Sequence, residues 1–513
     1  MKKNLLICLM GVSALYATNG TNLIGTSAVS RSLGGTGVAH FTSAANALHK
    51  NVALMGDLRG ENDFQFDLTY FSANVTSGVY DKMPLNANLP GSGLPNLLSY
   101  DNMTYADSQP MLDTSFIPSV AYAWRHDEET VFGVAMIGAA GMAANYEGEY
   151  SQRQLKSSMM LMKIYPAISY RQGCTTFGFA PVIGLGSMSL NYDQDYLKKN
   201  GNPYVYGTKP QSGREGLFGT NVGGDSLVPA FGFQAGFDVK VTPKFRFGAS
   251  YQSSLTYTYK EVANFEQFGP NGMVYMADEW MYNNYGSGLQ ADQGLSQQLQ
   301  AAGMDSLAAD AIEALAGTTT IQDALEAANS KNLDDLTLEQ PWEFAMGFAY
   351  DLTDMSVITL DYRYIAWGLA KGYKDFGWQN QNVLAVGMEF DFETFRFRMG
   401  YNYAESPIKN VAGEHGALLT DVQGHLVFDQ ALSMLNMVGF PAISTTHFTF
   451  GLGWDIGKDS TLDMAFVYSP ESTVSRKGSL SPLQTGFDAL DMSYEYETKM
   501  EQMSVSFGYN TRF

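Results

Sequence analysis

The chain is poor in cysteine, in charge and in long apolar runs. Two cysteines in 513 residues make neither a disulfide framework nor a cysteine-based zinc site. Charged residues are 16% of the chain, where about 25% is usual. What charge there is leans acidic, 52 Asp and Glu against 31 Lys and Arg. That balance excludes a nucleic-acid binder, which needs a basic stripe. Low charge beside 13% aromatic residues excludes disorder, because disordered segments have few aromatics. Past residue 17 there is no stretch of about 18 apolar residues, so no transmembrane helix is expected.

Chemistry-bearing motifs are equally scarce. The six histidines are scattered, and no G-x-S-x-G elbow is present. The run Asn191-Tyr192-Asp193-Gln194-Asp195 opens like a calcium loop but lacks the glycine and the closing glutamate. Gly184-x-Gly186 and Gly451-x-Gly453 fall in strand-like segments and offer no helix N-terminus to a phosphate. The expectation is a chain with no catalytic residues, no metal and no cofactor. His447, on an inward strand face, reads as structural.

What is present is a leader and a period of two. Lys2 and Lys3 precede a short apolar stretch, Asn4 to Ala17, with a cut expected after Ala17. This reads as a secretory signal peptide over residues 1–17, which leaves Cys174 as the one cysteine of the exported chain. Beyond it, apolar and polar residues alternate in segments of about ten. Phe64, Phe66, Leu68 and Tyr70 alternate with Gln65, Asp67 and Thr69. Similar alternation runs over Ile358–Tyr364, Leu384–Phe392, Phe395–Tyr403, Phe448–Trp454 and Leu462–Tyr468. Such strands put one face in an apolar medium and the other in a polar one.

The segment length, the Gly, Ser and charged residues on the polar face, and the aromatics at segment ends favour an outer-membrane barrel over a soluble sandwich. Short turns near 126–130, 172–174, 242–244, 353–355, 392–395 and 457–460 alternate with long connections near 76–115, 142–158, 189–227, 260–340, 367–380, 405–444 and 470–496. The fold class expected is all-β: a transmembrane antiparallel β-barrel of about fourteen strands over residues 60–513, with both chain ends periplasmic. The last strand ends in Phe513 at the parity of Met503, Val505, Phe507 and Tyr509.

Two stretches do not suit a barrel wall. Residues 18–59, Gly-rich and then Ser/Ala-rich, are expected to form short helices plugging the lumen. Leu289–Asn329 carries helical spacing at Leu307, Ala311, Ile312 and Leu315 and is expected to form an extracellular helical insert.

The opening from Thr21-Asn22-Leu23-Ile24-Gly25 to Gly34-Gly35-Thr36-Gly37-Val38-Ala39 resembles that of the FadL/TodX outer-membrane transporters of hydrophobic compounds. So do Thr446–Trp454, Leu462–Tyr468, Trp378–Asn382 and Tyr403–Ile408. The resemblance implies a fourteen-stranded monomeric barrel with an N-terminal hatch. It implies a ligand that is a long-chain fatty acid or an aromatic hydrocarbon, and lateral exit at a kink in the third strand. The hatch residues carried over are Gly34, Gly35, Asn51, Val52 and Ala53, with Val52 where the family usually has proline. Outer-membrane lipids and the barrel-assembly machinery are the other partners expected.

The residues can be read against that mechanism. Phe132–Ile137 runs into Gly138-Ala139-Ala140-Gly141, where Gly138 and Gly141 can host a bulge or kink. Pro166 and Pro181, in the next two strands, cannot donate ladder bonds. By parity Lys163, Arg246, Arg363, Arg396 and Arg398 point inward. Each is a candidate partner for a ligand carboxylate, or for Asp361, Glu389, Asp391 and Asp463 across the lumen. The function expected is uptake of hydrophobic compounds through the outer membrane. A general or anion-selective porin and an outer-membrane lipase-type enzyme are the alternatives.

Overall fold

The computed structural model describes residues 19–81, 103–108, 114–146, 155–192, 220–223, 227–263, 334–408, 411–412, 419–479 and 493–513. The expected leader and the expected helical insert at 289–329 lie outside these residues.

Fourteen strands form the wall: β1 Asn62–Asp81, β2 Thr114–Arg125, β3 Thr130–Asn145, β4 Lys156–Gln172, β5 Thr175–Tyr192, β6 Val228–Lys240, β7 Phe245–Gln252, β8 Glu343–Thr353, β9 Ser356–Ile365, β10 Gln381–Phe392, β11 Phe395–Ala404, β12 Thr446–Asp455, β13 Ser460–Ser479 and β14 Ser493–Arg512. Each pairs antiparallel with its neighbours. The circle closes where β1 meets β14, from Asp63↔Arg512 to Asp81↔Tyr494. Closure leaves neither the first nor the last strand with an open edge in lipid.

Alternation sets which face is which. Phe66, Phe116, Phe177, Leu384, Phe450 and Phe507 are exposed outward. Gln65, Asp67, Thr69, Ser504 and Ser506 are buried on the inside. The wall is uneven in height. Strands β1, β13 and β14 have 20 residues each, whereas β7 has 8 and β9 has 10. The long connections expected at 76–115, 142–158, 189–227 and 470–496 therefore begin later or end earlier than the alternation suggested.

The space inside is occupied. Residues 19–58 are almost wholly buried, in a run of short pieces: α1 Ala28–Ser32, α2 Ala44–Lys50 and a 3₁₀ helix Val52–Asp57. Each start is capped by a side chain. Ser27 accepts from Ser30 N–H, Ser43 from Asn46 N–H, and Asn51 from Ala53 N–H. From the low side of the wall, the connections also turn inward. A hairpin of Leu255–Ala263 with Asp334–Gln340 buries Tyr257 and Leu338. Residues 366–380 bury Trp367, Tyr373 and Trp378, and a helix α3, Asp429–Met434, continues into a π-turn over Leu435–Gly439.

Candidate functional site

The wall has a framed interruption between β2 and β3. Their ladder stops at Ser119↔Ile137, although β2 runs on to Thr114, paired with β1 alone, and β3 runs on to Asn145, paired with β4 alone. Two residues account for the break. Pro118 carries no N–H, and β3 bulges between Gly138 and Ala140, which bends the bulged strand. Above the gap the wall is bridged again. Residues Thr104–Asp107 pair with Thr76–Val79 of β1, and Ser108 Oγ accepts Asn145 N–H at 2.9 Å.

The inner segment covers this free edge. Leu23 N–H donates to Ala139 O at 3.3 Å, and Gly141 N–H donates to Thr21 O at 3.0 Å, with Asn22 bridged to Ala140. Gly138 leaves room for β2, since a Cβ there would stand 2.6 Å from Ile117 Cγ2. Both expected kink residues thus lie at the gap.

The same arm reaches the inturned connections. Asn22 Nδ2 donates to Glu343 Oε1 at 2.7 Å, and Gln340 Nε2 donates to Asn22 Oδ1 at 2.5 Å. Gly20 lies under Trp367, whose ring packs against Tyr373 and Trp378 at centroid distances of 4.7 and 5.0 Å. Sequence reasoning missed Asn22, Gln340 and Glu343. The local signal was the turn-forming Asn19-Gly20-Thr21-Asn22 run.

Residues assigned to the hatch sit at contacts between this segment and the wall. Gly34 and Gly35 have φ of 70° and 81°, a region that favours glycine. Gly34 N–H donates to Thr449 Oγ1 at 3.0 Å, and Gly34 O accepts from Asn402 Nδ2 at 3.0 Å. Asn51 Nδ2 donates both to Val38 O at 2.8 Å and to Phe237 O at 2.9 Å, so it ties the segment to itself and to β6. Val52 and Ala53 open the 3₁₀ helix, both buried. Val52 holds the first helical position, where proline is tolerated, so the fold there does not depend on the missing proline.

The five inward cations separate into two sets. Arg396 pairs with Asp391 at 3.1 Å and Asp455 at 2.7 Å. Arg398 pairs with Glu389 and with Asp463 at 2.6 Å. Arg246 pairs with Asp57 and with Asp238 at 2.5 Å. Arg363 pairs with Glu343 at 3.3 Å. Lys163 is 2% exposed and has no hydrogen bond or ion pair among the described residues. Its strand position opposes Ile137, one residue below the bulge.

Asp361, expected to neutralise a cation, makes no ion pair within hydrogen-bond reach among the described residues but acts on Lys50 and Arg363 through space, and it accepts from Gly37 and Val38 N–H at 2.8 and 3.0 Å. Lys50 donates to Ile24 O at 2.9 Å; burial, with Arg363 adding to it, pushes its ammonium down to about 7.

Polarity is layered along the lumen. The region above the segment is apolar, with Leu155, Met159, Leu161, Tyr257, Trp367 and Met437 buried in one cluster. The periplasmic half carries the ion pairs of Arg246, Arg396 and Arg398, while Arg363–Glu343 and Arg476–Asp429 lie toward the extracellular ends of their strands. There Asp57 ends the inner segment among Arg171, Lys240 (2.8 Å) and Arg246. Burial alone would raise the Asp57 carboxyl, but these cations hold it below the usual carboxylate range. Arg125 Nη2 adds a bond to Leu58 O at 2.6 Å. His447 is buried on the inner face of β12. Among the described residues, no group of three His, Cys, Asp or Glu is placed to hold a metal.

Residues 11–414 match the family described as outer membrane protein transport protein (OMPP1/FadL/TodX). No curated protein sequence matches. Solved structures do. A FadL homologue from Pseudomonas aeruginosa superposes with a TM-score of 0.59 at 13% identity, over 96% of this chain and 100% of that one. The toluene transporter TodX of Pseudomonas putida gives 0.54 at 15% identity, over 97% and 100%. The toluene transporter TbuX of Ralstonia pickettii gives 0.51 at 15% identity, over 95% and 98%. At these identities the likeness speaks to the fold.

Proposed function

The chain belongs to the outer membrane protein transport family (OMPP1/FadL/TodX), outer-membrane transporters of hydrophobic compounds, and from that premise we propose that it takes up long-chain fatty acids and releases them sideways between β2 and β3. One observation carries the reading. Just above the last β2–β3 pair, the β3 edge at Ala139–Gly141 is bonded not by a wall strand but by the inner segment at Thr21–Leu23.

The layered lumen supports a sideways path. An alkyl chain gains about 0.8 kcal/mol for each CH₂ it buries, so the apolar region above the inner segment is where it would settle. A straight path onward would drive that chain among the ion pairs of Arg246, Arg396 and Arg398, and desolvating paired charges is costly. The gap opens instead onto lipid.

Lys163 favours an acid over a neutral hydrocarbon. A buried ammonium with no hydrogen bond or ion pair is costly; Glu343 acts on it through space but is engaged by Arg363 and Asn22, and a ligand carboxylate would supply both charge and hydrogen-bond acceptors. It stands beside the gap, so the headgroup would be held where the tail leaves.

The test locks the arm. Cα atoms of antiparallel partners lie about 4.5–5.5 Å apart, within the disulfide range of about 4.4–6.8 Å. Asn22→Cys with Ala140→Cys, on a Cys174→Ser background, joins the bridged pair. Oxidised protein is expected to bind labelled oleate yet fail to deliver it into vesicles, with delivery restored by reductant. Undiminished delivery through the locked protein would sink lateral release.

A further inference from the structure

Pro166 and Pro181 belong neither to the gap nor to the set of cations. Both face outward and are exposed on adjacent strands. The β4–β5 register runs from Lys156↔Asn191 to Ile164↔Ile183 and resumes at Ile168↔Phe179. In that register Pro166 stands directly opposite Pro181, and positions 165–167 and 180–182 are unpaired. Among the described wall ladders, this is the one that loses three consecutive pairs.

The cause is covalent. Opposed residues at a hydrogen-bonded position exchange two main-chain N–H···O bonds, and two prolines there can donate neither, which removes the flanking pairs as well. Two carbonyls are left facing each other in a medium that supplies no donors. Behind them, inside the wall, the ties are side-chain ones: Tyr165 Oη donates to Gln252 Oε1 at 3.1 Å and lies 3.3 Å from His49 Nδ1.

The β3–β4 hairpin is therefore loosened on its two flanks at different heights. On one flank it is free of β2 above Ile137; on the other nine pairs, Lys156↔Asn191 to Ile164↔Ile183, hold it to β5 beside the gap, and the ladder breaks just below them. We propose that Pro166 and Pro181 are positioning residues for lateral release, letting the β3–β4 hairpin swing as one flap so that the β2–β3 gap widens. The inference rests on the lateral-release reading. It adds that the moving part is a hairpin rather than a single kinked strand. Lys163 lies on this flap, so a carboxylate bound there travels with the opening.

Pro166→Val with Pro181→Val restores both donors and keeps apolar, β-branched side chains toward lipid. The expected result is a higher Tm, unchanged oleate affinity, and delivery into vesicles slower by roughly tenfold, because two restored bonds must break at each opening. Each single valine variant restores one donor and slows delivery less. The Pro166→Ala, Pro181→Ala pair restores the same donors and serves if the valine pair assembles poorly. A double variant with raised Tm and wild-type delivery overturns the flap, and so does one whose Tm does not rise. The arm lock separates the two ideas: if locking stops delivery while the double variant does not slow it, the flap alone is wrong. Delivery that survives the lock removes the parent reading.

Discussion

Lys163 shows what one residue adds that its strand cannot. Alternation alone placed five cations inside the barrel, and the structure keeps all five there. Part of the pairing was legible as well: the expected partners Glu389, Asp391 and Asp463 engage Arg398 and Arg396. Asp57, which engages Arg246, and Asp455, which engages Arg396, were not, because one lies in the inner segment and the other at the end of the neighbouring strand. Four arginines are occupied in this way, leaving the lysine. Lys163→Met should weaken oleate binding by roughly tenfold to a hundredfold, since a hydrogen bond to a charged group is worth about 1.5–3 kcal/mol. Toluene binding should not change, and Lys163→Arg should retain oleate. Isothermal titration in detergent would decide, and equal oleate affinities for the Met variant and the parent would end the headgroup assignment.

At the scale of elements, the alternation read the strand cores well and their upper ends poorly. The reason is a reversal of parity. In β14, Met503, Phe507 and Tyr509 face outward toward lipid and are exposed. Higher on the same strand Tyr494, Tyr496 and Met500 are buried inside, while Glu495, Glu497 and Glu501 take the outer face. Above the bilayer the outside is wet and the lumen is packed with inturned connections, so the apolar face switches sides. A period-two search sees the switch as the end of a strand. The inner segment was legible as short helices, but not its fastening, which includes wall contacts at Gly34, Gly37, Val38 and Asn51 and, at its periplasmic end, an aspartate closing a 3₁₀ helix.

That fastening has a pH signature. Asp57 is held below its ordinary pKa when docked, so its contribution is complete above the ordinary carboxylate value. The contribution drains away as pH falls through the lower, docked value. Single-channel conductance should stay low and steady from neutral pH down to about 4, the ordinary range of an aspartate, and rise only in stronger acid. Asp57→Asn should show the raised conductance already at pH 7. A variant as tight as the parent would show that other contacts hold the segment.

For the whole molecule, the decisive property is a closed wall whose interior is filled by its own N-terminal chain. A porin needs an open bore, and here residues 19–58 occupy it. Excising residues 19–57 should leave a folded barrel, because the strand ladders are independent of the segment. Planar-bilayer recordings should then show a large open conductance, and cells should become sensitive to bulky antibiotics. Unchanged conductance would mean that the inturned connections alone seal the pore.

The unequal strand lengths carry a consequence for where a solute is first met. A 20-residue strand at about 3.3 Å per residue and a tilt near 40° climbs roughly 50 Å, about twice the apolar band of roughly 25 Å. The flank built from β13, β14 and β1 thus rises like a chimney through the sugar coat, while the opposite rim ends near the lipid headgroups. An oily molecule caught at the taller lip could descend along protein throughout, and the polysaccharide zone that repels it would be bypassed rather than crossed.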